Sequence, residues 1–181
     1  MRILAISGSL RAASSNSVLL RAAVSLVPEG VELIVFDGIG EFPHFNPDLD
    51  REPPPAPIAE YRAQLRAADA VLISSPEYAH GVPGVLKNAL DWVVGSGELV
   101  DKPVALINAS PRSTHAQASL AETLTVMNTS FISEACRAVA LPGRNIDEAG
   151  ILANPEVAGV LREAVTALVR SVENQRASMR L

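Results

Sequence analysis

The sequence predicts a single α/β domain on an open, doubly wound parallel sheet, an expectation that rests on three observations. Near-continuous apolar runs at 3–6, 31–36, 70–73 and 104–107 read as strands covered by helices on both faces. Helical periodicity fills the intervals at 16–27, 57–68, 83–94 and 115–128, and returns at 155–175. Strict alternation with right-handed crossovers leaves few topologies, and with a weaker fifth strand near 137–141 the five strands favour the order 2-1-3-4-5 over a six-stranded dinucleotide fold.

The first strand (ILAI) follows Met1-Arg2 directly, without the long apolar region or cleavage site of a signal peptide, so a cytoplasmic protein is expected. Residues 16–27 place Leu19, Leu20, Ala23, Leu26 and Val27 on one helical face, behind a cluster of Ser and Asn suited to an N-cap. Between the second strand and the helix at 57–68, residues 37–57 hold six of the 13 prolines, which fix φ and remove donors. An irregular surface loop follows, either functional or a stiffened connector. The helix at 83–94 carries Val85, Leu86, Ala89, Leu90 and Val93, with Pro83 suited to be its first residue.

At 181 residues and 19.1 kDa the chain is long enough to bury a self-sufficient core, and no repeat or linker divides it. With 15 basic against 20 acidic residues the net charge is −5, so no basic field gathers a nucleic acid or an anionic membrane. Four Phe, two Tyr and one Trp are too few for a base-stacking platform. No apolar stretch approaches the roughly 20 residues that span a bilayer. A single cysteine, Cys136, excludes an internal disulfide and thiolate metal clusters. Charged residues make up 19% of the chain, below the usual value of about 25%, which points to oligomerisation.

In such a sheet, ligands bind beyond the carboxyl ends of the strands where the order reverses, here between the first and third strands. The segment leaving the first strand, SGSLRAASSNS (7–17), is rich in hydroxyls. Ser9, Ser14, Ser15, Asn16 and Ser17, with the fork of Arg11 and the N–H groups of a helix start, make a cradle for a monophosphate. The plainer alternative is that these residues only cap the helix. The spacing matches neither a dinucleotide turn nor a P-loop. Leaving the third strand, SSPEYAHGVPG (74–84) sets a tight backbone path able to present N–H groups to a flat heterocycle, with Tyr78 packing by a ring. His80 either points into the pocket or bonds a loop carbonyl, and Glu77 reads as an ion-pair partner rather than a general base. After the fourth strand, NASPRSTHAQ (108–117) offers Ser110, Arg112, Ser113, Thr114 and His115; Ser113 or Thr114 equally suits a helix cap.

GSLRAASSN (8–16), SPEYAHGVPGVLKNALDWV (75–93) and KPVALINASP (102–111) together resemble the NADPH-dependent FMN reductase family, which includes reductases of quinones, azo dyes and chromate. The resemblance covers roughly residues 2–130. It implies a flavodoxin-like fold with FMN bound non-covalently. Ser9, Arg11, Ser14, Ser15, Asn16 and Ser17 would hold the phosphate, while Pro76, Glu77, Tyr78, Ala79, His80 and Gly81 would line the isoalloxazine. Ser110, with Arg112 nearby, would face the pyrimidine side. It further implies homodimers or homotetramers through the helix after P-E-Y, with Trp92 either at that interface or in the core. Ala79 stands where many members have Asn, which removes any side-chain contact there.

A flavin carries the redox chemistry itself, which accounts for a sequence with no evident nucleophile, triad or metal cluster. The expected cycle is ping-pong, NADPH first and then a small acceptor on the same face, with Phe42, Pro43, His44 and Phe45 as an apolar wall above it. An electron-carrying flavodoxin and a non-enzymatic FMN-binding module are the alternatives.

Overall fold

A computed structural model describes residues 1–143 and 146–179. Its strands β1 (Arg2–Ser7), β2 (Glu32–Phe36), β3 (Ala70–Ser74), β4 (Pro103–Asn108), β5 (Ser130–Phe131) and β6 (Arg137–Ala138) form one parallel sheet. The order is β2-β1-β3-β4-β5, with β6 also paired to β4. Helices α1 (Ser15–Val24), α2 (Ala56–Ala67), α3 (Gly84–Val94), α4 (His115–Val126), α5 (Glu148–Ala153) and α6 (Pro155–Ser178) cover it.

Why the central strands are apolar throughout follows from the pleat. Alternate residues face opposite sides of a strand, and here both sides are core. Ile3, Ala5, Leu72 and Ile107 pack with Leu19, Leu161 and Leu168 of α1 and α6. Leu4, Ile6, Val71, Ile73 and Leu106 pack with Ile58, Leu90 and Leu120 of α2, α3 and α4.

The fifth strand is where the structure departs most from the sequence pattern. It is two fragments: Ser130 and Phe131 pair with Pro103 and Val104, Arg137 and Ala138 with Ile107 and Asn108. Between them residues 132–136 oppose only Ala105 and Leu106, and the surplus is taken up by a 3-10 turn at Ser133–Ala135. The Leu106 N–H, left without a strand carbonyl, donates to Cys136 Sγ at 3.3 Å. Burial pushes the Cys136 thiol up, against the pull of that N–H. The helix expected from 16 ends at Val24 rather than 27, Pro83 is the N-cap of α3 instead of its first residue, and α5 is an additional helix.

The proline-rich segment is fastened to the core. It contains 3-10 turns at Gly38–Glu41 and Pro47–Leu49. Phe42 is buried against Phe36 and Tyr61, with ring centroids 6.0 and 5.1 Å away. Phe45 meets Trp92 edge to face at 5.2 Å. Asn88 Nδ2 and Trp92 Nε1 both donate to the Pro43 carbonyl, at 3.0 and 2.8 Å, and the Phe45 N–H donates to Asn88 Oδ1. These contacts fix the surroundings of three aromatic residues. Phe42 and Phe45 are engaged in packing within this segment, and of the two places open to Trp92 the structure takes the core, where it is wholly buried. Among the described residues, no helix is long and apolar enough to cross a membrane.

At the opposite end of the sheet Asp69 ties three elements together: it accepts from the Arg2 N–H at 2.8 Å and from Arg176 of α6 at 2.6 Å. Partial burial alone would raise its carboxyl, but the Arg2 N–H and the Arg176 guanidinium outweigh it, so the carboxyl sits below its ordinary value. A carboxylate depressed in the folded state stabilises fully above its unfolded pKa of about 3.9, and that contribution is lost as pH falls through the lower folded value. Native protein is therefore expected to be more stable than Asp69→Asn at neutral pH, with the gap closing as thermal melts are taken well below pH 4. A gap independent of pH would contradict this.

Candidate functional site

At the carboxyl ends of β1 and β3 the backbones come close. The Gly8 N–H donates to the Ser74 carbonyl at 2.8 Å. A Cβ on Gly8 would lie 2.7 Å from Ser75 Oγ and 3.0 Å from the end of Leu86, so any larger residue requires those two side chains to shift before the chain turns away toward α1. From here one loop runs over α1 and another toward α3, leaving a crevice at the switch point of the sheet.

The first loop is organised by its own hydroxyls. Ser7 Oγ and Ser17 Oγ lie 2.8 Å apart, the Arg11 N–H donates to Ser9 Oγ at 3.3 Å, and buried Ser74 Oγ donates to Asn16 Oδ1 at 3.0 Å. Ser14 is the N-cap of α1, yet its side chain makes no capping bond, so the first-turn N–H groups are not closed off by it. Ser9, Arg11 and Ser17 line one cavity of about 370 Å³ together with Ser7, Arg21 and Asp37. Ser15, on the other side of the loop, shares a groove with Ser110, Arg112 and Leu141. The structure thus brings the predicted cradle together around α1 but divides its side chains between two faces, with Asn16 and Ser14 buried as braces. Arg21, one helical turn beyond Ser17, was not anticipated; its i+4 spacing from Ser17 is the signal in the sequence that points to it.

The second loop closes on a two-residue turn. The Tyr78 N–H donates to the Gly81 carbonyl at 3.2 Å and the Gly81 N–H returns to Tyr78 at 2.9 Å, while Ala79 and His80 have φ of 48° and 61°. Both central residues are left-handed, as in the hairpin turns that favour Asn-Gly. An asparagine at position 79 accordingly suits the backbone, whatever its side chain contacts, and Ala79 bears the penalty of about 1–2 kcal/mol that left-handed residues carry. Tyr78 projects into solvent, 59% exposed.

This loop is pinned to the third. The Ala116 N–H, in the first turn of α4, donates to Glu77 Oε2 at 2.8 Å, so Glu77 is a helix cap supplied from another loop. Gln117 Nε2 donates to the Ser75 carbonyl at 3.4 Å, and the rings of His80 and His115 stack at 4.2 Å, 8° from parallel. Neither Ser113 nor Thr114 caps α4 by its side chain: Thr114 is the N-cap without such a bond, and the Ser113 carbonyl accepts from Asn108 Nδ2 at 2.9 Å. Asn108, buried at the end of β4, also accepts from the Ser110 N–H at 3.0 Å and thereby shapes the whole turn. Asn108, Ser74 and Ser75 are site-shaping residues that the sequence reading missed, although polar residues ending apolar strands are a legible sign.

The donor set fits a phosphorylated, planar ligand: hydroxyls and a guanidinium beside a helix start, two backbone-rich loops, and an opening between them. Fold and crevice together define a flavodoxin-like nucleotide-binding protein. Residues 1–142 match the family model described as NADPH-dependent FMN reductase, and the chain belongs to that oxidoreductase family, which works with FMN and NAD(P)H. It is 37% identical over 160 residues to an NAD(P)H-dependent FMN reductase of Pseudomonas aeruginosa, covering 82% of this chain and 86% of that one. It is 40% identical over 112 residues to an NADPH:quinone oxidoreductase of Arabidopsis thaliana, covering 60% and 57%. Among solved structures, FerB of Paracoccus denitrificans, a flavoenzyme NAD(P)H:(acceptor) oxidoreductase, superposes with a TM-score of 0.78 at 28% identity, over 96% of this chain and 97% of that one.

Replacing Ala79 by Asn is expected to raise stability by roughly 0.5–1 kcal/mol, by relieving part of the left-handed penalty. Equilibrium denaturation measures it; an unchanged or lower midpoint would show that the turn is not strained at this position.

Proposed function

We propose that the crevice at the ends of β1, β3 and β4 binds FMN and that the chain passes reducing equivalents from NADPH to a small acceptor in a ping-pong cycle. The observation that carries this reading is the convergence of three donor-rich loops on the switch point, held in one arrangement by the Gly8–Ser74 bond and by Glu77 on α4.

Within it, Ser9, Arg11 and Ser17, with the N–H groups at the start of α1, hold the phosphate; Ser14, Ser15 and Asn16 shape and border that cradle. Pro76, Glu77, Tyr78, Ala79, His80 and Gly81 line the isoalloxazine through their backbone, and Ser110 with its neighbours faces the pyrimidine edge. FMN, when bound, supplies the hydride-accepting and hydride-donating centre. The chain's own task is to hold that centre with one face open. The stacked His80 and His115 border the opening, and Tyr78, exposed beside it, is available to cover a planar partner. Arg112, exposed on the third loop, is the candidate for the 2′-phosphate of NADPH.

The acceptor class follows from the same openness. Quinones are the leading choice, on the strength of the quinone oxidoreductase among the relatives, with free FMN, nitro and azo compounds and chromate admitted by the same half-reaction. A homodimer or homotetramer is proposed through the α3 and α4 layer, where Val94 and Val126 stay exposed. A cytoplasmic setting accords with this chemistry.

The test is steady-state oxidation of NADPH and NADH by flavin-loaded protein with a panel of acceptors, beside Arg11→Ala. The reading expects rapid NADPH oxidation that depends on a quinone and parallel-line initial-rate plots. It also expects FMN affinity in Arg11→Ala lowered by about tenfold or more, as for loss of a charge-assisted contact. Unchanged FMN affinity in that variant would remove the cradle assignment, and intersecting plots would remove the ping-pong cycle.

A further inference from the structure

Arg21 is left over from the site as read so far. It lines the cavity of Ser9, Arg11 and Ser17 from one turn along α1, where the backward tilt of helical side chains carries a long residue toward the helix start. Its Nε is held by Glu148, the first residue of α5, in a half-exposed ion pair. The cavity's other charged groups are Arg11 and Asp37, so Arg21 decides whether it is net positive or balanced.

We infer that Arg21 is a second guanidinium for the phosphate held at the cradle, kept in reserve by Glu148, which competes with that phosphate for it. The inference rests on the reading that this loop binds the FMN phosphate. A guanidinium has five donors, and the pair with Glu148 engages it through Nε, which leaves the terminal nitrogens to turn toward Ser17 and Arg11. Exposed pairs of this kind contribute little by themselves, so exchanging one anion for another costs little. Glu148 then weakens phosphate binding, the opposite of what a residue that merely supports the fold would do.

The purified chain, stripped of flavin, is titrated with FMN and with riboflavin, following quenching of flavin fluorescence, for the native protein, Arg21→Gln, Arg21→Lys, Glu148→Gln and the double variant of Arg21→Gln and Glu148→Gln. Thermal melts of each flavin-free form report folding. Arg21→Gln is expected to weaken FMN about tenfold and Arg21→Lys less, with riboflavin unaffected. Glu148→Gln is expected to tighten FMN about threefold in the native background and not at all beside Arg21→Gln, because the effect passes through Arg21. Equal FMN affinity in native and Arg21→Gln protein overturns the inference and leaves the cradle standing. So does a gain from Glu148→Gln that persists without Arg21, since that is charge removal alone. Native protein that binds FMN no better than riboflavin overturns the phosphate reading itself, and this inference with it.

Discussion

The close approach of β1 and β3 at Gly8 is the constraint on which the site depends. With its N–H on the Ser74 carbonyl and its Cα packed closely against the Ser75 side chain, the chain leaves β1 at a fixed place and in a fixed direction. The two adjacent strands then send their loops to opposite faces, one toward α1 and the other toward α3, and the crevice is the gap between them. A side chain at position 8 has to displace the Ser75 hydroxyl and the tip of Leu86, in an interior as closely packed as an organic crystal.

The remaining contacts serve to lock what this junction creates. Glu77 caps α4, Gln117 reaches back to Ser75, and His80 lies on His115, so the loops after β3 and β4 are tied to each other. Asn108 braces its turn from inside with both ends of its amide. Loops held in this way lose little further freedom when a ligand arrives, which is how a site on loops gains affinity without a deep cavity. The left-handed pair Ala79 and His80 lies within this locked region, where surrounding contacts can hold a conformation the residues would not choose alone.

Much of this was legible in the residues. The apolar runs of β1, β3 and β4 could belong only to strands covered twice, and alternation with helices settled the order of the sheet. Glycine, hydroxyl and proline signals located all three loops. What was not legible depended on long-range partners. The fifth strand breaks where residues 132–136 oppose only two of β4, and nothing local reveals that Cys136 then meets the Leu106 N–H in place of a strand carbonyl. Phe42 and Phe45 looked available for a ligand because they sit in a proline-rich loop. Their rings pack on Tyr61 and Trp92, well separated along the chain. Glu77, which reads locally as an ion-pair partner, is a helix cap only once α4 is placed beside it, and Arg21 shows no role until Ser17 and α5 are.

The proposed FMN site is confined to the three loops at the carboxyl edge of the sheet. Amide hydrogen exchange with and without FMN tests it most directly. Slowed exchange is expected at residues 8–17, 76–81 and 108–116 and nowhere else. Protection concentrated instead at the groove of Phe36, Glu41 and Glu60 beside β2, or around Cys136 at the broken fifth strand, would contradict it.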